Sequence, residues 1–224
     1  DDKNLPRGCA VAEGRPAGRW DICRKGAPVS PDRLPSATGH VIKPNNSSAS
    51  WGVRDAFDWE GVKEAVEAIH EDPSNGGQDA IVEPFIEGSD VEVPVITIKG
   101  EPQILPMLIF RQANPSHLRT YYEKRDLVDR SQKYSLDPFV NPEMEARIRE
   151  MTQKCWQEYR PFDYGRFEFR VNEETGEINF LELNLNCNLW SEKVFGRAAQ
   201  MAGWTQEQLI ETLLAEALGR EGLL

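Results

Sequence analysis

Tyr164 to Asn188 reads YGRFEFRVNEETGEINFLELNLNCN. Phe167, Phe169 and Val171 alternate with Arg166, Glu168 and Arg170, the period of two that marks a strand with one apolar and one polar face. The run Asn172-Glu173-Glu174-Thr175-Gly176 interrupts that alternation. Gly176 supplies the positive φ that closing a hairpin needs. The return strand runs from Glu177 to Asn184, with Glu182 and Asn184 on one face and Leu181 and Leu183 on the other.

Counted back through the turn, Glu168 lies roughly opposite Glu182, and cross-strand neighbours are about 5 Å apart. Two carboxylates, one amide oxygen and Arg166 are therefore expected on one patch of sheet. Carboxylates that close repel unless something positive sits between them. Mg²⁺, a hard cation that takes oxygen ligands, is one such partner; Glu–Arg pairing on a solvated hairpin face is the other reading. Apart from those groups the return strand is apolar (Ile178, Phe180, Leu181, Leu183), and a buried strand that keeps Glu and Asn favours a ligand.

Composition bounds what surrounds this hairpin. Charged residues make up 28% and hydrophobic residues 39% of 224, a globular balance with chain enough for one large domain or two small ones. A net charge of −11 argues against nucleic acid as a partner. No apolar run approaches the ~20 residues of a membrane span, so no membrane partner is expected. Cys9, Cys23, Cys155 and Cys187 lack metal-ligand spacing, which points to a reducing, cytoplasmic setting without a disulfide framework. The chain opens Asp1-Asp2 with no Met, so it is expected to begin inside a longer protein.

Four further segments bear on function. Lys3, near the start of the irregular stretch up to Pro35, reads by itself as a surface lysine. His40–Lys43 is a short strand running into Pro44-Asn45-Asn46-Ser47-Ser48-Ala49-Ser50-Trp51-Gly52-Val53. Small polar residues let backbone N–H groups turn towards phosphate oxygens, and Lys43 adds a point charge; read alone, the same run is an ordinary Ser/Asn-rich turn. Gln78–Ile86 is an apolar strand ending Glu83-Pro84-Phe85-Ile86-Glu87-Gly88-Ser89-Asp90, followed by strands over Val91–Ile98 and Gln103–Phe110. Tyr121-Tyr122-Glu123-Lys124-Arg125-Asp126 is a charged run of the kind most often found on solvated surface.

Helices are predicted over Trp59–His70, N-capped by Asp58, and over Asn141–Tyr159, capped by Asn141 with Pro142 in the first turn. The second carries the stripe Met144, Ile148, Met151, Cys155, which is core packing. A third spans Ser191–Ala202. A fourth begins at a Thr205/Gln208 capping box and packs through Leu209, Ile210, Leu213 and Leu214. Cys187 has no His nearby in sequence and is not read as a nucleophile.

Arg166-Phe167-Glu168 followed by Phe180-Leu181-Glu182-Leu183-Asn184 resembles the metal-binding hairpin of ATP-grasp ligases, most of all the D-alanine–D-alanine ligase type. The resemblance implies an α+β ATP-grasp fold, two α+β subdomains with mainly antiparallel sheets holding ATP between them. Residues 1–86 would form the central subdomain, with phosphate loop and adenine linker, and 87–224 the C-terminal subdomain, with the metal and catalytic hairpin. It implies that Glu168, Glu182 and Asn184 hold Mg²⁺, with Mn²⁺ as the alternative, and that Arg166 steadies an acyl phosphate and a tetrahedral intermediate. Lys3 and Lys43 would contact the ATP phosphates. Glu83, Phe85 and Ile86 would take adenine, and Asp90 the ribose. Lys124 would reach the γ-phosphate and close the site, and Ser50 would join Arg166 and Lys124 as a catalytic residue. Departures from the family pattern fall at Glu168 (usually Asp), Ala49 (Ser), Arg125 (Tyr) and Asn188 (Gly). The activity implied is an ATP-dependent carboxylate–amine ligase joining amino acids or small peptide-like acids, with room for a homodimer. The alternative is a nucleotide-binding module without ligase turnover. The family's N-terminal domain precedes the step that Asp2-Lys3 resembles, so it is expected to lie outside this sequence.

Overall fold

The computed structural model describes residues 21–34, 36–47, 50–75, 77–112 and 134–224. Lys3, Ser48, Ala49, Lys124 and Arg125 lie outside the described residues. The described chain divides into two compact units, residues 21–87 and residues 88–112 with 134–224.

In the first unit β1 (Asp21–Cys23), β2 (His40–Pro44), β3 (Arg54–Ala56) and β4 (Ala80–Pro84) make an antiparallel sheet in the order β1-β4-β2-β3. Helix α1 (Trp59–Glu71) covers it. Val62, Ala65, Val66 and Ile69 recur at helical spacing, and all four are buried against Cys23, Ile42, Ala80 and Val82; each larger aliphatic side chain so buried contributes about 1.5–3 kcal/mol. Asp58 caps the helix by accepting the Gly61 N–H at 2.8 Å.

The second unit is built on β5 (Ser89–Ile98), β6 (Glu101–Ile104), β7 (Leu108–Gln112), β8 (Tyr134–Pro138), β9 (Tyr164–Asn172) and β10 (Glu177–Asn184). Its antiparallel sheet runs β10-β9-β5-β7-β8, with β6 also paired to β5. The single strand expected over Gln103–Phe110 is two strands, broken at Leu105–Met107. Pro106 lies inside the break and has no N–H to give a ladder, and Pro94 on the facing strand adds to it. The Pro94 carbonyl accepts the Leu105 N–H at 3.0 Å, so its ring nitrogen, which has no proton to donate, faces the same edge, and the ladder lapses there.

Helix α2 (Pro142–Tyr159) is capped by Asn141, whose Oδ1 accepts the Met144 N–H at 3.2 Å. It buries Met144, Ile148, Thr152, Cys155 and Trp156. The expected Met151 is only half-buried: Thr152 and Trp156 lie in line with Ile148, and the large indole turns the stripe that way. Aromatic contacts lead from Trp156 through Phe162 to Phe167, Phe180 and Phe169. Helices α3 (Val194–Met201) and α4 (Gln206–Arg220) pack with Ile96, Leu105 and Leu108. The third helix starts at Val194 rather than Ser191. Asn188 Oδ1 accepts the Trp190 N–H and Trp190 O the Lys193 N–H, so the chain turns before it can wind. The capping box of Thr205 and Gln208 is present. On α4, Leu209 and Leu213 are buried and Leu214 is exposed.

Candidate functional site

The first unit gathers the candidate phosphate and adenine residues on β2, β4 and the chain that leaves them. Lys43 and Glu83 are diagonal neighbours on adjoining strands, and the Lys43 ammonium pairs with the Glu83 carboxylate. Both side chains are largely buried, at 12% and 13% exposure. Beyond Lys43 the chain is tied down. Asn45 N–H donates to Asp79 O at 3.0 Å, and the Gln78 side-chain amide grips both the N–H and the C=O of Asn46. Ser50 then adopts a φ of +61°, a left-handed backbone that costs a non-glycine residue about 1–2 kcal/mol. Its carbonyl accepts the Val53 N–H at 3.2 Å. On the linker side, Phe85 donates its N–H to Gly39 O at 2.8 Å and packs its ring against Phe57. A Cβ on Gly39 would lie 2.6 Å from the Phe57 ring, so glycine is what allows this close approach. Ile86 is half-buried beside it.

The second unit carries a polar face. Glu168 pairs with Glu182 on one side and with Glu92 on the other. Three carboxylates thus form one row across β5, β9 and β10. In the next row Arg166 lies between Pro94 and Asn184, and in the row before it Arg170 lies beside Asp90. The Glu168–Glu182 pairing depends on a β-bulge. From Glu177 to Phe180 the hairpin register would set Leu181 against Glu168; the register shifts between Phe180 and Glu182, leaving Leu181 as the extra residue and bringing Glu182 opposite Glu168. The hairpin turn holds that register: Asn172 O accepts the Gly176 N–H at 2.9 Å, Asn172 Oδ1 accepts from Glu174 and Thr175, and Gly176 has φ +72°.

Burial makes this face chemically unusual. Among the described residues the buried polar and charged side chains are Asp90, Glu92, Glu168, Arg170, Asn179 and Thr152, and the first five share it. Arg166 Nε lies 2.6 Å from Glu92 Oε2, and its terminal nitrogen pairs with Glu168. The first contact is an ion pair off the N–H line rather than an aligned hydrogen bond. Burial works against the guanidinium charge, but Glu92 and Glu168 outweigh it and hold Arg166 protonated beyond even its ordinary range. Arg170 donates to Asp90 at 2.9 Å. Cys187 is buried nearby, and that burial, against the pull of Arg166, pushes its thiol up to about 12; it stays a protonated thiol, part of the core with Val194 and Phe195.

The donor set suits a hard divalent cation. Asp90, Glu92, Glu168 and Glu182 stand against Arg166 and Arg170, so among these six side chains carboxylates outnumber guanidiniums by two, and oxygen donors are what Mg²⁺ takes. Among the described residues no three His, Cys, Asp or Glu groups already converge as a metal cluster; Arg166 occupies the space beside Glu168 instead. Asn184 Oδ1 accepts the Asn186 N–H at 3.2 Å, which leaves the oxygen a second lone pair. Glu92 is the residue the sequence reading missed. It sits in the middle of an apolar strand, and its tie to Arg166 rests on a pairing between segments more than seventy residues apart.

Comparisons with known proteins agree with this architecture. The sequence model of the family described as D-ala D-ala ligase C-terminus matches residues 37–215. The uncharacterized protein y4sG of Sinorhizobium fredii is 24% identical over 215 residues, covering 96% of this chain and 61% of that protein. A D-alanine–D-alanine ligase of Flavobacterium psychrophilum is 24% identical over 215 residues, covering 92% of this chain and 60% of the ligase. The crystal structure of the Bacillus anthracis D-alanine–D-alanine ligase complexed with ATP superposes with a TM-score of 0.74 at 18% identity, over 97% of this chain and 65% of that one. The chain therefore spans about three-fifths of the length of the curated relatives it matches. No helix among the described residues is long and apolar enough to cross a membrane. With an α+β ATP-grasp architecture and four-fifths of its length matched, the chain belongs to the D-Ala-D-Ala ligase C-terminus family.

Proposed function

We propose that the chain is the nucleotide- and metal-holding part of an ATP-dependent carboxylate–amine ligase. The observation that carries the reading is the row Glu92–Glu168–Glu182 with Arg166 set beside it, a buried arrangement of oxygens and one fixed cation that a structural hairpin does not need. Residues 1–86 supply Lys3 and Lys43 to the phosphates, Glu83, Phe85 and Ile86 to adenine, and Ser50 as a catalytic residue; residues 87–224 supply the rest. The Phe85 N–H is committed to Gly39 O, so Phe85 offers adenine its carbonyl. Asp90 takes the ribose hydroxyls, with Arg170 holding its carboxylate in place. Glu168, Glu182 and Asn184 hold Mg²⁺, or Mn²⁺ in its stead, which when bound draws charge from the phosphate oxygens.

In the reaction a carboxylate oxygen of the acid substrate attacks the γ-phosphorus of ATP and ADP departs. The amine nitrogen then attacks the acyl carbon, phosphate leaves with the former carboxylate oxygen, and the amine loses a proton. Lys124 neutralises the phosphoryl group in flight, and Arg166 holds a fixed positive charge beside the developing oxyanion; one such donor is worth about 3 kcal/mol. Amino acids or small peptide-like acids are the substrates, and a homodimer is compatible with them. The test is a screen of amino-acid pairs for ADP and phosphate release, run on the longest natural form of the chain. A productive pair whose turnover disappears in Glu182→Gln supports the ligase. Heat on titrating Mg·ATP without turnover under any pair identifies a nucleotide-binding module instead, and no heat at all overturns both.

A further inference from the structure

We infer that Glu92 is a positioning residue, the buried anchor that keeps Arg166 on the carboxylate face when Glu168 turns to a cation. The inference deepens the ligase reading and, for its catalytic consequence, rests on it. Arg166 now serves two carboxylates, Glu92 through Nε and Glu168 through a terminal nitrogen. Those two acids differ in what else they are expected to do. Glu168 stands with Glu182 and Asn184 as an oxygen donor for the metal, so a bound cation competes with Arg166 for it. Deprived of Glu168 alone, a long side chain with several rotatable bonds would leave the face.

Glu92 is built to prevent that. It is 1% exposed. It lies on β5, which is paired on both edges at this point, with Leu108 of β7 opposite it on one side and Glu168 of β9 on the other, so the strand that carries it is flanked from both sides. Leu108 beside it belongs to the apolar core under α3 and α4, so on that side its carboxylate meets apolar packing instead of solvent. The Nε contact is already at 2.6 Å but off the N–H line, which is the geometry of a guanidinium pulled towards a second partner. Release from Glu168 lets it align on Glu92, and the positive charge then stays where the oxyanion forms.

The experiment uses the full chain with ¹⁵N-labelled arginine. The Arg166 Nε–H signal is identified by its loss in Arg166→Lys. In the parent protein the signal should remain protected from solvent exchange both before and after addition of Mg²⁺ with a non-hydrolysable ATP analogue. In Glu92→Gln, which keeps the side-chain volume, exchange should quicken at least ~10-fold, most of all with the metal bound, with both proteins held well below their melting temperatures. With a productive substrate pair, Glu92→Gln should lower kcat at least ~10-fold with the KM for ATP within about twofold, and Glu92→Asp should recover part of it. Unchanged Nε–H exchange in Glu92→Gln overturns the inference. So does a loss of Mg·nucleotide affinity matching the loss of kcat, which would make Glu92 a metal ligand. If the parent chain binds Mg·ATP but joins no substrates, the ligase reading fails while the exchange measurement still decides the role of Glu92.

Discussion

Arg166→Met would leave two buried carboxylates facing one another. Glu92 and Glu168 are 1% and 3% exposed and are direct cross-strand partners, about 5 Å apart at Cβ. Two unit charges at that distance repel by roughly 3 kcal/mol at the effective dielectric of about 20 that suits such sites. Stripping one partner from a buried ion pair costs about 3–5 kcal/mol in measured cases, and the two estimates agree. A domain has only about 5–15 kcal/mol in total, so the variant should lose a large share of its stability. Urea denaturation followed through Trp156, which lies in the same unit, should show the midpoint falling with the slope unchanged. The triple variant Glu92→Gln/Arg166→Met/Glu168→Gln should regain most of the loss, because neutral side chains of similar shape escape the desolvation penalty. An Arg166→Met protein within about 1 kcal/mol of its parent, or a triple variant no better than the single one, would falsify this account of the carboxylate row.

Gly88→Ala should be among the most damaging small substitutions. Gly88 has φ +132°, and a Cβ there would lie 2.0 Å from Val171 O, so β5 and β9 must part; a loss of at least about 3 kcal/mol is expected in the same urea assay, and a loss below 1 kcal/mol speaks against the close approach. The thiols set an alkaline limit. Burial raises Cys187 to about 12 and Cys23 to about 11, above the unfolded value near 8.5. The stabilisation they give is complete below that unfolded value and is lost as pH climbs through the folded ones. Denaturation midpoints should therefore decline between about pH 9 and 12, and less steeply in Cys187→Ala; a thiol reagent at pH 8 should label both cysteines only on unfolding.

Local signals carried much of the fold. Asp58, Asn141 and the Thr205/Gln208 pair mark helix starts because each cap is written within four residues, and the alternation of Phe167, Phe169 and Val171 names β9. Three features departed from the expected pattern, the first although its signal is local. Pro94 weakens the ladder from the facing strand, but Pro106 lies within Gln103–Phe110 itself and marks the interruption locally. The start of α3 is set by the Asn188 and Trp190 turn bonds, which win over helix propensity at Ser191. The polar side of β9 is as buried as its apolar side at Glu168 and Arg170, although alternation implied a solvated face; its ion-pair partners on β5, Glu92 and Asp90, are some seventy to eighty residues distant in sequence. In the candidate site counting through the turn came within one residue of the Glu168–Glu182 pairing, which the bulge at Leu181 completes, whereas Glu92 required knowing which strands lie side by side.

Leu181 has a consequence for how this hairpin tolerates change. A strand presents its residues two by two, so the number of positions between Gly176 and Glu182 acts as a reading frame, and the bulge absorbs the surplus leucine so that the frame stays in phase with β9. Exchanging Leu181 for another apolar residue leaves the phase intact. Dropping it would let Glu182 follow Phe180 directly and meet Glu168 in the unbroken register of Glu177 to Phe180, whereas adding one more residue would swing Glu182 and Asn184 towards the aromatic packing of Phe167 and Phe180 and present leucines in their place. The stretch can accordingly lose this leucine more easily than it can gain a neighbour for it.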